Sequence, residues 1–154
     1  MQNEALNEVL NDLVKINNDR IEGYDRAIKE SKELDVDLKA IFEGMIRESE
    51  GYKQELTNKI RQMGGSVESG TTASGKIYRA WMDVKATFTG NDRKAILAAC
   101  EFGEDAAQRA YETAIASDAE MDADVRQLIA DQQKTLKNSH DLIKKYRDAH
   151  EAMS

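Results

Sequence analysis

LNEVLNDLVKINNDRIEGYDRAI, residues 6–28, decides how this chain folds. Leu6, Leu10, Leu13, Asn17, Ile21 (or Arg20), Tyr24 and Ile28 recur at spacings of three and four. That is the period of a helix with one apolar face and one solvated face. Val9, Ile16 and Ala27 widen the stripe, and Asn17 places an amide in its middle. The spacing predicts a first helix from about Asn3 to Glu33.

Working outward, an acidic turn near Leu34–Asp37 leads to a second helix that reaches about Met63. Its stripe is Leu38, Ile41, Phe42, Met45, Ser49, Tyr52, Leu56, Ile60 and Met63. So short a connection makes the two helices antiparallel neighbours. Gly64-Gly65 supplies a glycine cap. The loop SVESGTTASG (66–75) precedes a shorter helix, about Lys76 to Phe88, with Ile77, Trp81, Val84 and Phe88 on one face and Tyr78 beside them. Helical spacing makes that aromatic stripe a packing face rather than a ligand surface. A third long helix runs from about Asp92 to Ala116, its inner side rich in alanine, which implies close approach. A fourth runs from about Ala123 to Glu151 through Val125, Leu128, Ile129, Gln132, Thr135, Leu136, Ser139, Leu142, Ile143 and Tyr146.

Composition agrees with long helices. The chain of 154 residues contains no proline, where average usage would give roughly eight. Proline removes a backbone donor and clashes with the preceding turn, so its absence suits uninterrupted helices. Net charge is -7, which disfavours nucleic acid and anionic membrane surfaces as partners. The N-terminus is amphipathic and acidic rather than a basic region followed by an apolar run, so no signal peptide is read there. With no apolar run of membrane-spanning length, a cytoplasmic location is expected. Cys100 is the only cysteine, so no intrachain disulfide forms.

Four long helices in two hairpins joined by one long crossover describe an all-α, ferritin-like antiparallel four-helix bundle, one domain over 1–154, with a short extra helix in the crossover. Asn17 precedes Tyr24 by seven positions and Glu104 precedes Tyr111 by seven, an echo expected of two related hairpins. Four stretches, INNDRIEGY (16–24), ASGKIYRAWMDVKATFTG (73–90), CEFGEDAAQRAY (100–111) and SHDLIKKYRD (139–148), carry a likeness to known proteins. The chain resembles a bacterial family of uncharacterised ferritin-like four-helix-bundle proteins, a domain of unknown function. The resemblance implies the fold and implies no activity.

Ferritin-like di-iron proteins place a Glu on each of two helices and Glu-x-x-His on each of the other two. Several carboxylates are needed because two adjacent metal ions carry a large charge. Here the inward centre reads Asn17 on the first helix, Ser49-x-x-Tyr52 on the second, Glu104 on the third and Gln132-x-x-Thr135 on the fourth. His140 and His150 both lie on the fourth helix, preceded three positions earlier by Lys137 and Arg147. One carboxylate cannot neutralise two divalent ions. The six central residues therefore read as a buried polar network, with Arg20 placed to pair with Glu104. A rotated second helix would instead bring Glu48 inward to join Glu104 and His140 around one metal ion.

Two remaining signals have bland readings. SGTTASGK (69–76) has the glycine and lysine spacing of a phosphate loop, but Ile77 stands where Ser or Thr should hold magnesium and no strand precedes it. Gly44 and Gly51 lie off the stripe of the second helix, where close approach by the crossover helix or a second subunit would explain them. The sequence thus predicts a non-catalytic structural, interaction or stress-associated protein, self-associating as a homodimer, with no cofactor. The alternative is an oxidoreductase holding iron, manganese or zinc at a non-standard central site.

Overall fold

The structure, a computed structural model, describes residues 2–31, 35–67, 93–117 and 119–153, and of residues 2, 3 and 150–153 the backbone alone. Those residues form four α-helices: α1 (Gln2–Glu30), α2 (Val36–Gln62), α3 (Arg93–Ile115) and α4 (Ala123–Met153), with no strand among them. The crossover helix expected over 76–88, with Trp81, Tyr78 and Phe88, lies outside the described residues, as do Gly70, Gly75 and Lys76 of the phosphate-loop lookalike. No helix among the described residues is long and apolar enough to cross a membrane.

Beyond α1, the Ser31 hydroxyl donates to the Ala27 carbonyl at 2.7 Å, beside the Ser31 N–H that bonds the same carbonyl at 3.0 Å. The helix is described to Glu30, and the expected end at Glu33 lies outside the described residues. After α2, Gly64 adopts φ +77°. Gly64 N–H donates to Arg61 O at 3.0 Å and Gly65 N–H to Ile60 O at 2.9 Å, which is the paired bonding of a Schellman cap. At the start of α4, the Asp122 carboxylate accepts from Val125 N–H at 2.9 Å as an N-cap.

α1 packs against α2 and α3, α3 packs against α4, and α2 meets α4 along a narrower line. All four helices contribute to one apolar cluster. Leu10 and Leu13 of α1, Phe42, Leu56 and Ile60 of α2, Leu97 of α3, and Ile129, Leu136 and Ile143 of α4 are buried within it. Each such side chain contributes about 1.5–3 kcal/mol by leaving water. Besides Ile96, Leu97, Glu104 and Tyr111, the buried face of α3 is small, with Ala95, Ala99, Cys100, Gly103, Ala107 and Ala114. One expected core position is exposed instead, Leu142 at 38%. The inward line of α4 is carried by Leu136, Ser139 and Ile143, so Leu142 falls on its flank. Among the described residues, a Cβ on Gly51 would meet nothing within 4 Å, and one on Gly44 only the end of Arg47 at 3.9 Å.

Hydrogen bonds record how the helices run past one another. Asn11 Nδ2 donates to Ser66 O, whereas Arg20 Nη1, farther along α1, donates to Ser49 Oγ, earlier in α2. Against α3, Asn17 meets Tyr111 and Arg20 meets Glu104. Between α3 and α4, Gln108 meets Gln133 while Glu101 meets Arg147. Arg93, the first residue of α3, reaches Asp35 Oδ1 at 3.2 Å and Asp37 Oδ2 at 2.8 Å. The first turns of α2 and α3 therefore sit at one end.

Alanine at position 64 would be forced into the left-handed region, so Gly64→Ala should lower unfolding free energy by about 1–2 kcal/mol. Urea denaturation measures this, and an unchanged midpoint would contradict the cap assignment. The Arg93 hydrogen bond holds Asp37 below its ordinary value of 3.8. A depressed carboxyl stabilises the folded state above its unfolded pKa and loses that effect as pH falls through its folded pKa. The stability difference between wild type and Arg93→Gln should therefore be complete above pH 3.8 and shrink on further acidification. A difference independent of pH would show that the clasp is not electrostatic.

Candidate functional site

Midway along the four helices the apolar core gives way to a polar centre. Arg20, 1% exposed, enters it from α1. Its Nε donates to Glu104 Oε1 at 2.8 Å, and Glu104 on α3 is fully buried. Nη1 donates to Ser49 Oγ at 2.8 Å and to the Met45 carbonyl at 3.4 Å. Nη2 lies 3.0 Å from Glu48 Oε1 and 3.3 Å from Met45 Sδ. Ion pairing therefore ties α1 to both α2 and α3. Burial works against the guanidinium charge, but Glu104, Tyr24 and Glu48 outweigh it and raise the pKa of Arg20 above its ordinary value.

Tyr24, one turn beyond Arg20, donates its hydroxyl to the same Glu104 Oε1. Its ring lies under the guanidinium, 5.3 Å from centroid to Arg20 Cζ, and against Phe42 at 5.5 Å between centroids. The ring face attracts the cation while the hydroxyl satisfies the anion. Burial, and then the Glu104 charge, push the Tyr24 pKa well up, so the hydroxyl keeps its proton to donate. Burial raises the Cys100 thiol in the same way, and Glu104 adds to it. That thiol is inert, since a reactive cysteine needs a basic setting.

A second polar layer lies one turn away along α1. Asn17 Nδ2 donates to Leu13 O at 2.8 Å and to the Tyr111 hydroxyl at 2.9 Å. Tyr111 passes its own proton to Gln132 Oε1 at 2.7 Å. Gln132 Nε2 donates to the Tyr52 carbonyl at 3.3 Å and to Glu55 Oε1 at 3.2 Å. One chain of donors and acceptors thus crosses all four helices. Burial pushes the Tyr52 hydroxyl up to about 12, with hydrogen bonding from Thr135 working the other way. Asn17 Oδ1 and Glu104 Oε2 are buried without a hydrogen-bond partner.

Of the six central residues expected from the sequence, Asn17, Ser49, Tyr52, Glu104 and Gln132 are brought together in the buried interior. Thr135 is not. It is exposed, and its hydroxyl donates to Asp131 O on its own helix at 2.7 Å. The three-residue spacing from Gln132 carries it past the inward line, which continues through Leu136 and Ser139. Arg20, rather than Ile21, takes the inward position on α1. Glu48 turns to Arg20 and accepts from Ser139 Oγ at 2.9 Å. The alternative grouping of Glu48 with Glu104 and His140 does not form, because His140 faces Asp105 on α3, its Nε2 2.6 Å from Asp105 Oδ1. Burial opposes the imidazolium, yet Asp141 and Asp105 raise its pKa above 6.5. Asn11 and Asp19, also buried, carry no sequence signal that separates them from flanking polar positions. Asp105 was equally invisible, since its partner lies on another helix.

A four-helix all-α protein with a buried ion pair at its centre is the class that fold and site define. Residues 5–117 match the family described as "Domain of unknown function (DUF2383)", and the chain belongs to that family. The match covers α3 and nearly all of α1 and stops before α4, which supplies Gln132, Ser139 and His140. A search of the curated proteins gives no match.

Removing one partner of a buried ion pair costs about 3–5 kcal/mol, because the other charge is left uncompensated. Arg20→Met and Glu104→Leu should each fall in that range. The double variant should lose less than the two losses added together. Strict additivity in denaturant unfolding would mean that the pair is not coupled.

Proposed function

We propose that this protein is a non-catalytic structural or interaction protein on a ferritin-like antiparallel scaffold, with an arginine standing where metal-dependent relatives of that architecture hold their ions. The observation that carries this reading is Arg20, buried between Glu104, Ser49 and Glu48. The guanidinium already claims both carboxylates nearest the centre. Two unit charges 4 Å apart differ by about 4 kcal/mol at an effective dielectric of 20, and a divalent ion beside Arg20 would meet roughly twice that in repulsion. A metal there would therefore have to displace Arg20.

The topology part of the reading draws on the helix-to-helix bonds. Partners on α2 and α3 descend as α1 ascends, and Arg93 joins the first turns of α2 and α3. The start of α3 therefore lies beside the start of α2, about one helix length, roughly 40 Å at 1.5 Å per residue, from the end of α2. A long crossover of that kind is the ferritin-like connection. The alternative, an oxidoreductase with a central metal, draws on two buried oxygens without partners, Asn17 Oδ1 and Glu104 Oε2. Its ligand set is weak, because the strong donor Glu104 is shared with a fixed cation.

Metal analysis of protein purified without chelator separates the two readings. Iron and manganese should remain well below one ion per chain and be unaffected by Glu104→Ala. Stoichiometric iron or manganese that disappears in Glu104→Ala would overturn the non-catalytic reading.

A further inference from the structure

We propose that Glu101, Asp105 and His140 form a site for a divalent transition-metal cation of the zinc type on the α3–α4 flank, outside the polar centre. Glu101 and Asp105 are one helical turn apart on α3, which puts both carboxylates on one face. His140 stands opposite on α4. One ligand atom from each of the three lies within 4.8 Å of the other two. Donors around one ion at 2.0–2.2 Å stand roughly 3–4 Å apart, so small side-chain rotations complete the geometry.

The support around the histidine is that of a metal ligand. Asp141 Oδ1 lies 3.2 Å from His140 Nδ1, placed to accept a proton held there. Nε2, 2.6 Å from Asp105 Oδ1, donates to that carboxylate while the ring is protonated, and loss of this proton on loading frees its lone pair for the ion. A carboxylate behind a ligating imidazole both orients it and raises its basicity. Two carboxylates balance a divalent charge, and the mixed imidazole–carboxylate set favours zinc-like ions over magnesium or calcium, which prefer oxygen alone. Asp105 is 46% exposed, which leaves an approach for the ion and room for water to finish its coordination. Without metal, the same charges are met by Arg147, whose Nη1 contacts Glu101 while its Nη2 lies 2.9 Å from Asp148. Loading releases Glu101 from Arg147 and displaces any proton held on Nε2. The bound ion would then pin α3 to α4, independently of whether the polar centre is catalytic.

The test is calorimetric titration of the chelator-stripped full chain with Zn2+, with helicity checked for every variant. Saturable one-to-one binding is expected, weakened at least about tenfold in His140→Ala and Asp105→Asn and about tenfold in Asp141→Asn. Arg147→Gln frees Glu101 and should tighten binding. His150→Ala and Glu104→Gln should match wild type. Absence of saturable binding, equal binding in His140→Ala and Asp105→Asn, or loss in His150→Ala overturns the site. Loss in Glu104→Gln with retention in His140→Ala would place the ion at the polar centre, overturning this proposal and the non-catalytic reading together.

Discussion

The buried ion pair between Arg20 and Glu104 is the constraint on which the remaining structure depends. Taking a guanidinium and a carboxylate out of water costs several kcal/mol for each, even after relaxation. Hydrogen-bond partners on both charges offset that cost, although Glu104 Oε2 has none. Here the partners are the Tyr24 hydroxyl on Glu104, and Ser49, the Met45 carbonyl and Glu48 on Arg20. Pair and partners together span three helices, so sliding α1 by one turn, about 5.4 Å, would break every one of these bonds. The leucines and isoleucines on either side supply the bulk of the burial, but apolar surfaces accept several alternative packings. Register is therefore set by the polar centre, and the apolar ends follow it.

The two polar layers divide the work of assembly. Around Arg20 the links run from α1 to α2 and α3. Around Tyr111 they run from α1 through α3 to α4, and return to α2 at the Tyr52 carbonyl. Since the family match ends at residue 117, the groups that α4 inserts into this arrangement, Gln132 and Ser139, come from beyond the matched range. Those two side chains satisfy Tyr111 and Glu48, so α4 completes a network whose other members lie in the first three helices.

Periodicity made the helices legible, and it also located most of the centre. Asn17, Ser49, Glu104 and Gln132 stand out because each is a polar residue on an apolar stripe, and all four are buried. Periodicity fails where two adjacent residues compete for one position. Ile21 is the more apolar candidate, yet Arg20 faces inward because Glu104 waits there on α3. It fails again at Thr135, where spacing from Gln132 suggests an inward hydroxyl but the α4 face has rotated on to Leu136. Asp105 and His140 could not be matched from sequence, since nothing local to either residue specifies a partner on a different helix.

Glu48 differs from its neighbours in one respect: it is 23% exposed, whereas Arg20 and Glu104 are sealed. Dissolved ions screen charges that water can reach and act far less on charges buried away from it. Ionic strength consequently acts on this cluster through its outer carboxylate alone. In a salt-rich medium the rim contact with Glu48 weakens while the inner bond to Glu104 keeps its strength, leaving the bundle joined across α1 and α3.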